Sequence, residues 1–263
     1  MLNNRDFKIL TTNEFNKLNS IKHIYKYINL NDGIEHILGK NTFKFTQPTD
    51  FNDPFDCYEK LINIPLDKKQ FRKYLKEQSV AQNISEERLE TIFQNAIKPD
   101  TLFETIKQHK DKFKLTCFSK IFDETLMWSH YADKHKGLCI GFVLDNMSTE
   151  YKMYPVHYSS KIQTINPNTF YFYAFYYLVT FKEKKWAYEK EIRAVSLKSN
   201  SILSYPKSAV KEVIFGCQVN PDTITETIDK IKEMNYSGVT ISKMEIDTKT
   251  LGLKKVPIMV IQN

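Results

Sequence analysis

Three separated segments of the chain combine ionisable side chains with bulky aromatic ones. They are FNDPFDC (Phe51–Cys57), CFSKIFDETLMWSHYADKHKGLCIGF (Cys117–Phe142) and KKWAYEKEIRAV (Lys184–Val195). A charge beside apolar rings is costly unless it is paired or used in function. We therefore expect the three segments to line one polar cleft. From each segment we expect at least one of two candidate side chains in the cleft: Asn52 or Asp53, His130 or Tyr131, and Glu189 or Glu191.

The third segment carries the sharpest pattern. Glu189 and Glu191 are two residues apart, so on a strand they would project from the same face, and Arg193 would continue that face. Two carboxylates and a guanidinium in this arrangement have three possible roles: they would orient a ribose, hold a metal ion, or form a ladder of ion pairs on the surface. The preceding lysine run, Lys182–Lys185, is typical of a solvated face.

The first segment allows two interpretations. Asp53 and Asp56 are flanked by aromatic residues, so a rigid loop would aim one carboxylate, or Asn52, into a pocket. Alternatively, the Asx–Pro sequence forms a turn in which Asn52 and Asp53 cap neighbouring amides.

The second segment predicts a helix that Asp123 caps and Gly137 ends. Trp128 and His130 would lie on different faces, with Tyr131 between them. The two histidines of this helix are five residues apart, so they do not share a face as an HExxH zinc pair does. Either Trp128, His130 and Tyr131 contribute to a ligand pocket, or the helix is partly buried with polar edges.

The composition is ordinary for a soluble globular protein: 263 residues, 41% hydrophobic and 26% charged. The net charge of +7 permits an anionic partner such as nucleic acid without requiring one. None of the four cysteines forms a CxxC pair, so no structural zinc is expected. The N-terminus lacks a signal-like apolar run, and no segment approaches a membrane span. These features indicate a cytoplasmic protein with reduced thiols.

Hydrophobic periodicity predicts a single elaborated α+β domain over residues 1–263, with mixed, mostly antiparallel sheets of about eight or nine strands. HIYKYI (His23–Ile28) alternates like a strand. Asn220 and Pro221 begin a helix with an isoleucine stripe. Residues 67–110 predict a helical insertion covering one side of a sheet, with its clearest helix behind Ser85.

Several of these runs together resemble a bacterial family catalogued as domain of unknown function 2971. The resemblance covers roughly residues 22–250. It is carried by YKYINL…FTQPTDFNDPFDC, CFSK…LMWSHYADKHKGLCIGF, KKWAYEKEIR and VKEVIFGC.

A more distant resemblance is to the ADP-ribosyltransferase fold. In that superfamily an early strand contacts nicotinamide, and a late strand carries a Glu-x-Glu or similar motif that orients the nicotinamide ribose. The matching residues here are Tyr25 or Tyr27, and Glu189 with Glu191. The chain lacks a Ser-Thr-Ser-like middle motif, and His23 is the histidine of its first strand.

This resemblance implies an enzyme that acts on NAD and a macromolecular acceptor. Nucleic acid is one candidate for that acceptor. Glu191 would hydrogen-bond the ribose and stabilise an oxocarbenium-like transition state, and Glu189 would orient or deprotonate the acceptor. Tyr27 and Tyr131 would stack on nicotinamide.

Two alternatives remain open. One is a metal-dependent phosphodiesterase or nuclease, in which Asp53, Asp56, Glu189 and Glu191 bind a divalent ion through oxygen ligands. The other is a non-enzymatic module whose pocket senses a ligand or partner.

Overall fold

An eight-stranded sheet organises the computed structural model. The model describes residues 20–58, 69, 85–96, 103–104, 107–108, 110–147, 150–162 and 176–262. The strands are β1 (His23–Ile28), β2 (Thr42–Lys44), β3 (Lys114–Ser119), β4 (Leu138–Val143), β5 (Lys152–Pro155), β6 (His157–Ser159), β7 (Phe181–Glu183), β8 (Glu191–Ser196), β9 (Ile202–Ser204), β10 (Val210–Phe215), β11 (Val239–Asp247) and β12 (Gly252–Ile261).

The large sheet has the order β12-β11-β10-β4-β1-β3-β8-β5. Its neighbours are antiparallel except for the parallel pair β10–β11. Two small sheets, β2–β9 and β6–β7, accompany it. The predicted α+β class with mostly antiparallel strands is therefore confirmed.

The α-helices are α1 (Leu30–Asp32), α2 (Glu86–Ala96), α3 (Thr125–Tyr131) and α4 (Pro221–Glu233). A π-helical segment, Gly33–Leu38, continues α1. Short 3-10 helices span Pro48–Asp50, Leu144–Asn146, Lys184–Glu189 and Lys207–Ala209. Within the described residues, no helix is both long enough and apolar enough to cross a membrane.

Two apolar clusters lie on the two faces of the sheet, because side chains alternate along each strand. On one face, Ile24 packs in the main core, which α4 covers with the stripe Ile224, Ile228 and Ile231. The Asn220 side chain caps α4 as predicted, accepting a hydrogen bond from the Asp222 amide at 2.9 Å. On the other face, Tyr27 packs against helix α3, which positions the candidate site.

Helix α3 is shorter than predicted. Glu124 caps it in place of Asp123, and it ends at Tyr131 well before Gly137. The three residues Asp133, Lys134 and His135 are all left-handed, with φ of 45°, 53° and 69°. At Gly137 an added Cβ would lie 2.2 Å from the Ile28 carbonyl oxygen. The chain therefore has to turn sharply to bring its backbone against β1 before β4 begins.

The predicted insertion at 67–110 is described only in part. Helix α2 begins behind Ser85, whose Oγ accepts from the Arg88 amide at 3.3 Å, and it buries Leu89 and Phe93. Most of the remaining residues from 67 to 110 lie outside the described part of the chain. The single-domain prediction stays a prediction.

Candidate functional site

The large sheet opens between its neighbouring strands β1 and β3. Strand β1 pairs with β4 along its whole length, but it pairs with β3 at one position, Tyr25 opposite Ser119. Beyond that position the Lys26 ammonium donates to Thr116 Oγ1 at 2.8 Å and to the Cys117 carbonyl at 2.9 Å. The Lys26 side chain thus takes the place of backbone hydrogen bonds between β1 and β3, and the two strands can diverge.

A row of three residues crosses the sheet where this opening starts. Tyr25 on β1 is opposite Ser119 on β3, which is in turn opposite Glu191 on β8. Directly opposed residues of antiparallel strands project from the same face. The row therefore places an early-strand tyrosine and a late-strand glutamate on one face, one strand apart.

A cavity of about 130 Å³ lies along this row. Residues of all three sequence segments and of strands β1 and β3 line it. They are Tyr25, Lys26, Tyr27, Phe51, Asn52, Asp56, Cys117, Phe118, Ser119, Met127, Tyr131, Lys182, Glu189 and Glu191. The cavity has aromatic walls and a charged floor, and we call it the acidic cavity.

The Lys182 ammonium is the centre of that floor. It lies 2.6 Å from Glu189 Oε2, 3.2 Å from Glu191 Oε2 and 3.4 Å from Asp56 Oδ2. Its side chain is only 8% exposed and lies over the Trp186 ring. The interpretation of Lys182–Lys185 as a solvated face is therefore wrong for Lys182, because three carboxylates compensate the burial of its charge.

Arg193 pairs with two of these three carboxylates, Glu191 and Asp56, and we call the five charged residues the ion cluster. Arg193 is completely buried, and its Nε donates to Glu191 Oε1 at 2.8 Å. Its Nη2 donates to Asp56 Oδ2 at 2.6 Å and to Glu191 Oε2 at 3.2 Å. Arg193 thus continues the face of Glu191 as predicted, but it does not line the acidic cavity.

Glu189 and Glu191 meet at Lys182, although they do not share a strand. Glu189 ends the 3-10 helix, Lys190 is left-handed with a φ of 43°, and β8 begins at Glu191. The prediction that both acids lie on one strand is therefore wrong. The left-handed Lys190 reverses the chain between them, which turns both carboxylates towards the same ammonium.

The two glutamates have opposite pKa shifts. Burial raises the pKa of Glu189, and the charge of Glu191 raises it further. Burial alone would also raise the pKa of Glu191, but Arg193 and Lys182 lower it to about 2. Glu191 is therefore a permanent carboxylate, and Glu189 is the group of the pair that takes up a proton first.

Tyr131 connects helix α3 to the charged floor. Its hydroxyl donates to Glu189 Oε1 at 2.7 Å, opposite the oxygen that accepts from Lys182. Burial and the neighbouring Glu189 raise the pKa of Tyr131, so it remains a neutral donor. Of the predicted pair His130 and Tyr131, Tyr131 is the one that lines the acidic cavity.

Besides Arg193, three residues predicted for the pocket do not line it: Asp53, Trp128 and His130. Asp53 Oδ1 accepts from the Phe55 amide at 3.0 Å, which is the turn interpretation of its segment. Trp128 is fully buried, packs edge-on against Tyr27 and donates from Nε1 to the Phe122 carbonyl. His130 is exposed on the outer face of α3.

Seven lining residues were not predicted as site residues: Lys26, Phe51, Cys117, Phe118, Ser119, Met127 and Lys182. Ser119 is fully buried, and its hydroxyl donates to the Glu189 carbonyl at 2.7 Å and accepts from the Ile121 amide. The alternation of the strand KLTCFS was the available signal, since a buried serine at its end needs a partner.

Among the described residues, no group of three or more His, Cys, Asp and Glu side chains is placed to hold a metal ion. Three of the acids that the nuclease alternative would use surround the Lys182 ammonium instead, and the fourth, Asp53, forms a turn. An organic cation thus fills the position that a divalent ion would need.

All four cysteines are free. Two of them border the charged cluster: the Arg193 Nη1 donates to Cys57 Sγ at 3.4 Å, and the Cys117 thiol hydrogen-bonds Glu191. Burial raises the pKa of both thiols, so neither is an activated nucleophile.

Comparison with known proteins gives one match. Residues 127–194 match the model of a family described as a protein of unknown function (DUF2971), which supports the resemblance carried by the motifs. That range includes most of α3, and five of the residues that line the acidic cavity: Met127, Tyr131, Lys182, Glu189 and Glu191. No curated protein and no solved structure matches the chain. The family description states no activity.

Proposed function

We propose that the acidic cavity binds the nicotinamide end of NAD and that the protein transfers ADP-ribose to a macromolecular acceptor. The observation that carries this proposal is the row Tyr25, Ser119 and Glu191 across three adjacent strands. It joins an early-strand aromatic residue to a late-strand glutamate, as the resemblance to the ADP-ribosyltransferase fold implies. It also supplies a serine on the middle strand, where no motif was visible in the sequence.

The size and walls of the cavity fit one ring of such a ligand. A volume of about 130 Å³ is small for a whole drug-sized molecule but adequate for a single planar ring. Tyr25, Tyr27 and Tyr131 offer aromatic contacts, and the faces of aromatic rings attract a positive group. The pyridinium of NAD and an oxocarbenium-like transition state are both positive.

Glu191 has the properties of a group that stabilises such a cation. Its low pKa keeps it ionised, and the buried Arg193 fixes its orientation. A fixed carboxylate in a site of low dielectric is worth most where positive charge develops in the transition state. Glu191 would accept a hydrogen bond from the ribose while the bond between C1′ and nicotinamide breaks.

Glu189 would serve the acceptor. Nicotinamide leaves with the electron pair of the glycosidic bond, the acceptor nucleophile bonds to C1′, and the proton of the acceptor passes to Glu189. Its raised pKa makes it a better base than an ordinary carboxylate. Tyr131 and Lys182 hold its two oxygens in place.

The experiment is to measure nicotinamide release from NAD by the purified protein, with cell extract supplied as the source of acceptor. Glu191→Gln should lower the rate by about 10²- to 10³-fold, the usual effect of removing one transition-state contact. Glu226→Gln, at an exposed residue of α4 that does not line the acidic cavity, is the control and should leave the rate unchanged.

Tyr25→Ala is a second variant in case Glu191→Gln does not fold. It removes an aromatic wall without touching the ion cluster, and it should weaken NAD binding while the variant stays folded. The enzyme proposal fails if the wild-type protein neither binds nor consumes NAD, or if folded Glu191→Gln turns over NAD at the wild-type rate.

A non-enzymatic sensing module is the second candidate, because both oxygens of Glu191 already accept hydrogen bonds from Arg193. A fully paired carboxylate fits recognition as well as catalysis. NAD binding at the acidic cavity without any turnover would favour this candidate over the enzyme.

A further inference from the structure

A second, larger cavity of about 400 Å³ lies on the other side of Lys182. Its described lining comes from the loop after Asn52, the end of β6 and the segment around β7. The residues are Phe55, Cys57, Tyr58, Ser159, Ser160, Lys161, Ile162, Tyr177, Leu178, Phe181, Lys182, Glu183 and Lys185. Its volume is within the range of ligand-binding pockets.

The chemistry of this cavity differs from that of the acidic cavity. Its described walls carry four aromatic rings and three lysines against one acid, Glu183. The rings of Tyr177 and Phe181 are stacked at 4.4 Å, and the side chain of Phe55 is 60% exposed at the rim. Flat apolar faces beside ammonium groups bind ligands that combine an aromatic ring with negative charge.

The lysines differ in how much charge they can offer. Lys182 is neutralised by the three carboxylates of the ion cluster. Lys185 is 84% exposed and pairs with Glu183 at 3.1 Å, and such an exposed ion pair is weak enough to exchange for another anion. Lys161 adds a further positive charge to the lining.

We infer that this basic aromatic cavity binds a nucleoside phosphate, with the base against the aromatic rings and the phosphate near Lys161 and Lys185. The inference does not depend on catalysis in the acidic cavity, because the two cavities share only Lys182 among their described lining residues. The nucleoside phosphate belongs either to a free nucleotide or to a single-stranded nucleic acid.

The test is isothermal titration of the full chain with ADP and, separately, with a short single-stranded oligonucleotide. Phe55→Ala should weaken binding of the preferred probe about tenfold, within the range for loss of one base–aromatic contact. Leu197→Ala, at a similarly exposed apolar residue outside the cavity, is the control. Lys185→Gln should weaken binding about threefold to fivefold, as expected for one exposed charge.

Lys184→Gln is the matched control for Lys185, because Lys184 is the exposed neighbour on the same 3-10 helix and does not line the cavity. Preference for ADP over the oligonucleotide, or the reverse, identifies the source of the ligand. The inference is overturned if neither probe binds at millimolar concentration, or if Lys185→Gln and Phe55→Ala bind like their controls.

Nicotinamide titrated into the same variants separates this inference from the proposed function. Nicotinamide binding that survives Phe55→Ala while ADP binding falls assigns the two ligands to different cavities. ADP binding without nicotinamide binding would support this inference and contradict the proposed function.

Discussion

Replacing Lys182 by methionine tests the ion cluster most severely. Methionine has a similar length and no charge, so Lys182→Met leaves three buried carboxylates facing the single guanidinium of Arg193. Removing one partner of a buried ion pair costs about 3–5 kcal/mol, because the remaining charge is uncompensated. For a protein of this size that corresponds to a fall in Tm of roughly 6–20 °C.

The loss should depend on pH in a defined direction. Without the ammonium, the pKa of Glu189, already raised by burial and by Glu191, rises further. A carboxyl group whose folded pKa lies above its unfolded value stabilises the fold below the unfolded pKa, and that stability is lost as pH rises through the folded pKa. Lys182→Met should therefore be closer to wild type at pH 5 than at pH 8.

The assay is urea unfolding of both proteins at pH 5 and pH 8, followed by circular dichroism. Lys185→Met is the control, since its side chain in the same lysine run is 84% exposed, and it should change stability by less than about 0.5 kcal/mol. If Lys182→Met costs less than about 1 kcal/mol at pH 8, which is below the range for a buried ion pair, the Lys182 ammonium does not compensate the three carboxylates. An equal loss at both pH values would refute the assignment of the proton to Glu189.

Three further predictions follow from single contacts. The pKa of Glu191 falls from 4.5 to about 2 on folding, so the stability that it contributes is complete above about pH 4.5 and is lost as pH falls towards 2. In Glu191→Gln, the free energy of unfolding should therefore fall less steeply between pH 4.5 and pH 2 than in the wild type. Tyr131→Phe removes the 2.7 Å hydrogen bond to Glu189 and should cost about 1.5–3 kcal/mol in chemical unfolding, whereas Tyr188→Phe should cost less. Gly137→Ala would place a Cβ 2.2 Å from the Ile28 carbonyl oxygen and should sharply reduce Tm or soluble yield. Gly252→Ala, whose nearest contact is the Thr250 hydroxyl at 3.3 Å, should lower Tm only slightly. Equal effects would contradict the close packing of β1 against the turn.

Local pattern was sufficient to predict several elements from the sequence. The alternation of His23–Ile28 gave β1, and the Asn220 cap with its isoleucine stripe gave α4. These signals are complete within a few residues, because strand alternation and helix capping depend on neighbours in sequence.

The ion cluster around Lys182 could not be predicted from local sequence patterns. Lys182 begins a lysine-rich run that has the pattern of a surface, and its burial depends on Asp56 from a distant loop. The row Tyr25, Ser119 and Glu191 depends on which strands pair, and that order cannot be read from any one segment. Mixed charge and aromatic content did indicate the three segments that meet, since such residues lower their burial cost by sharing partners.

The most direct test of the proposed site is a crystal structure of the protein bound to NAD. We expect the nicotinamide ring in the acidic cavity, in contact with Tyr25 and Tyr131, and a ribose hydroxyl within hydrogen-bonding distance of the Glu191 carboxylate. NAD bound away from β1 and β3, or a ribose held apart from Glu191 by Lys182 and Arg193, would contradict the proposed site.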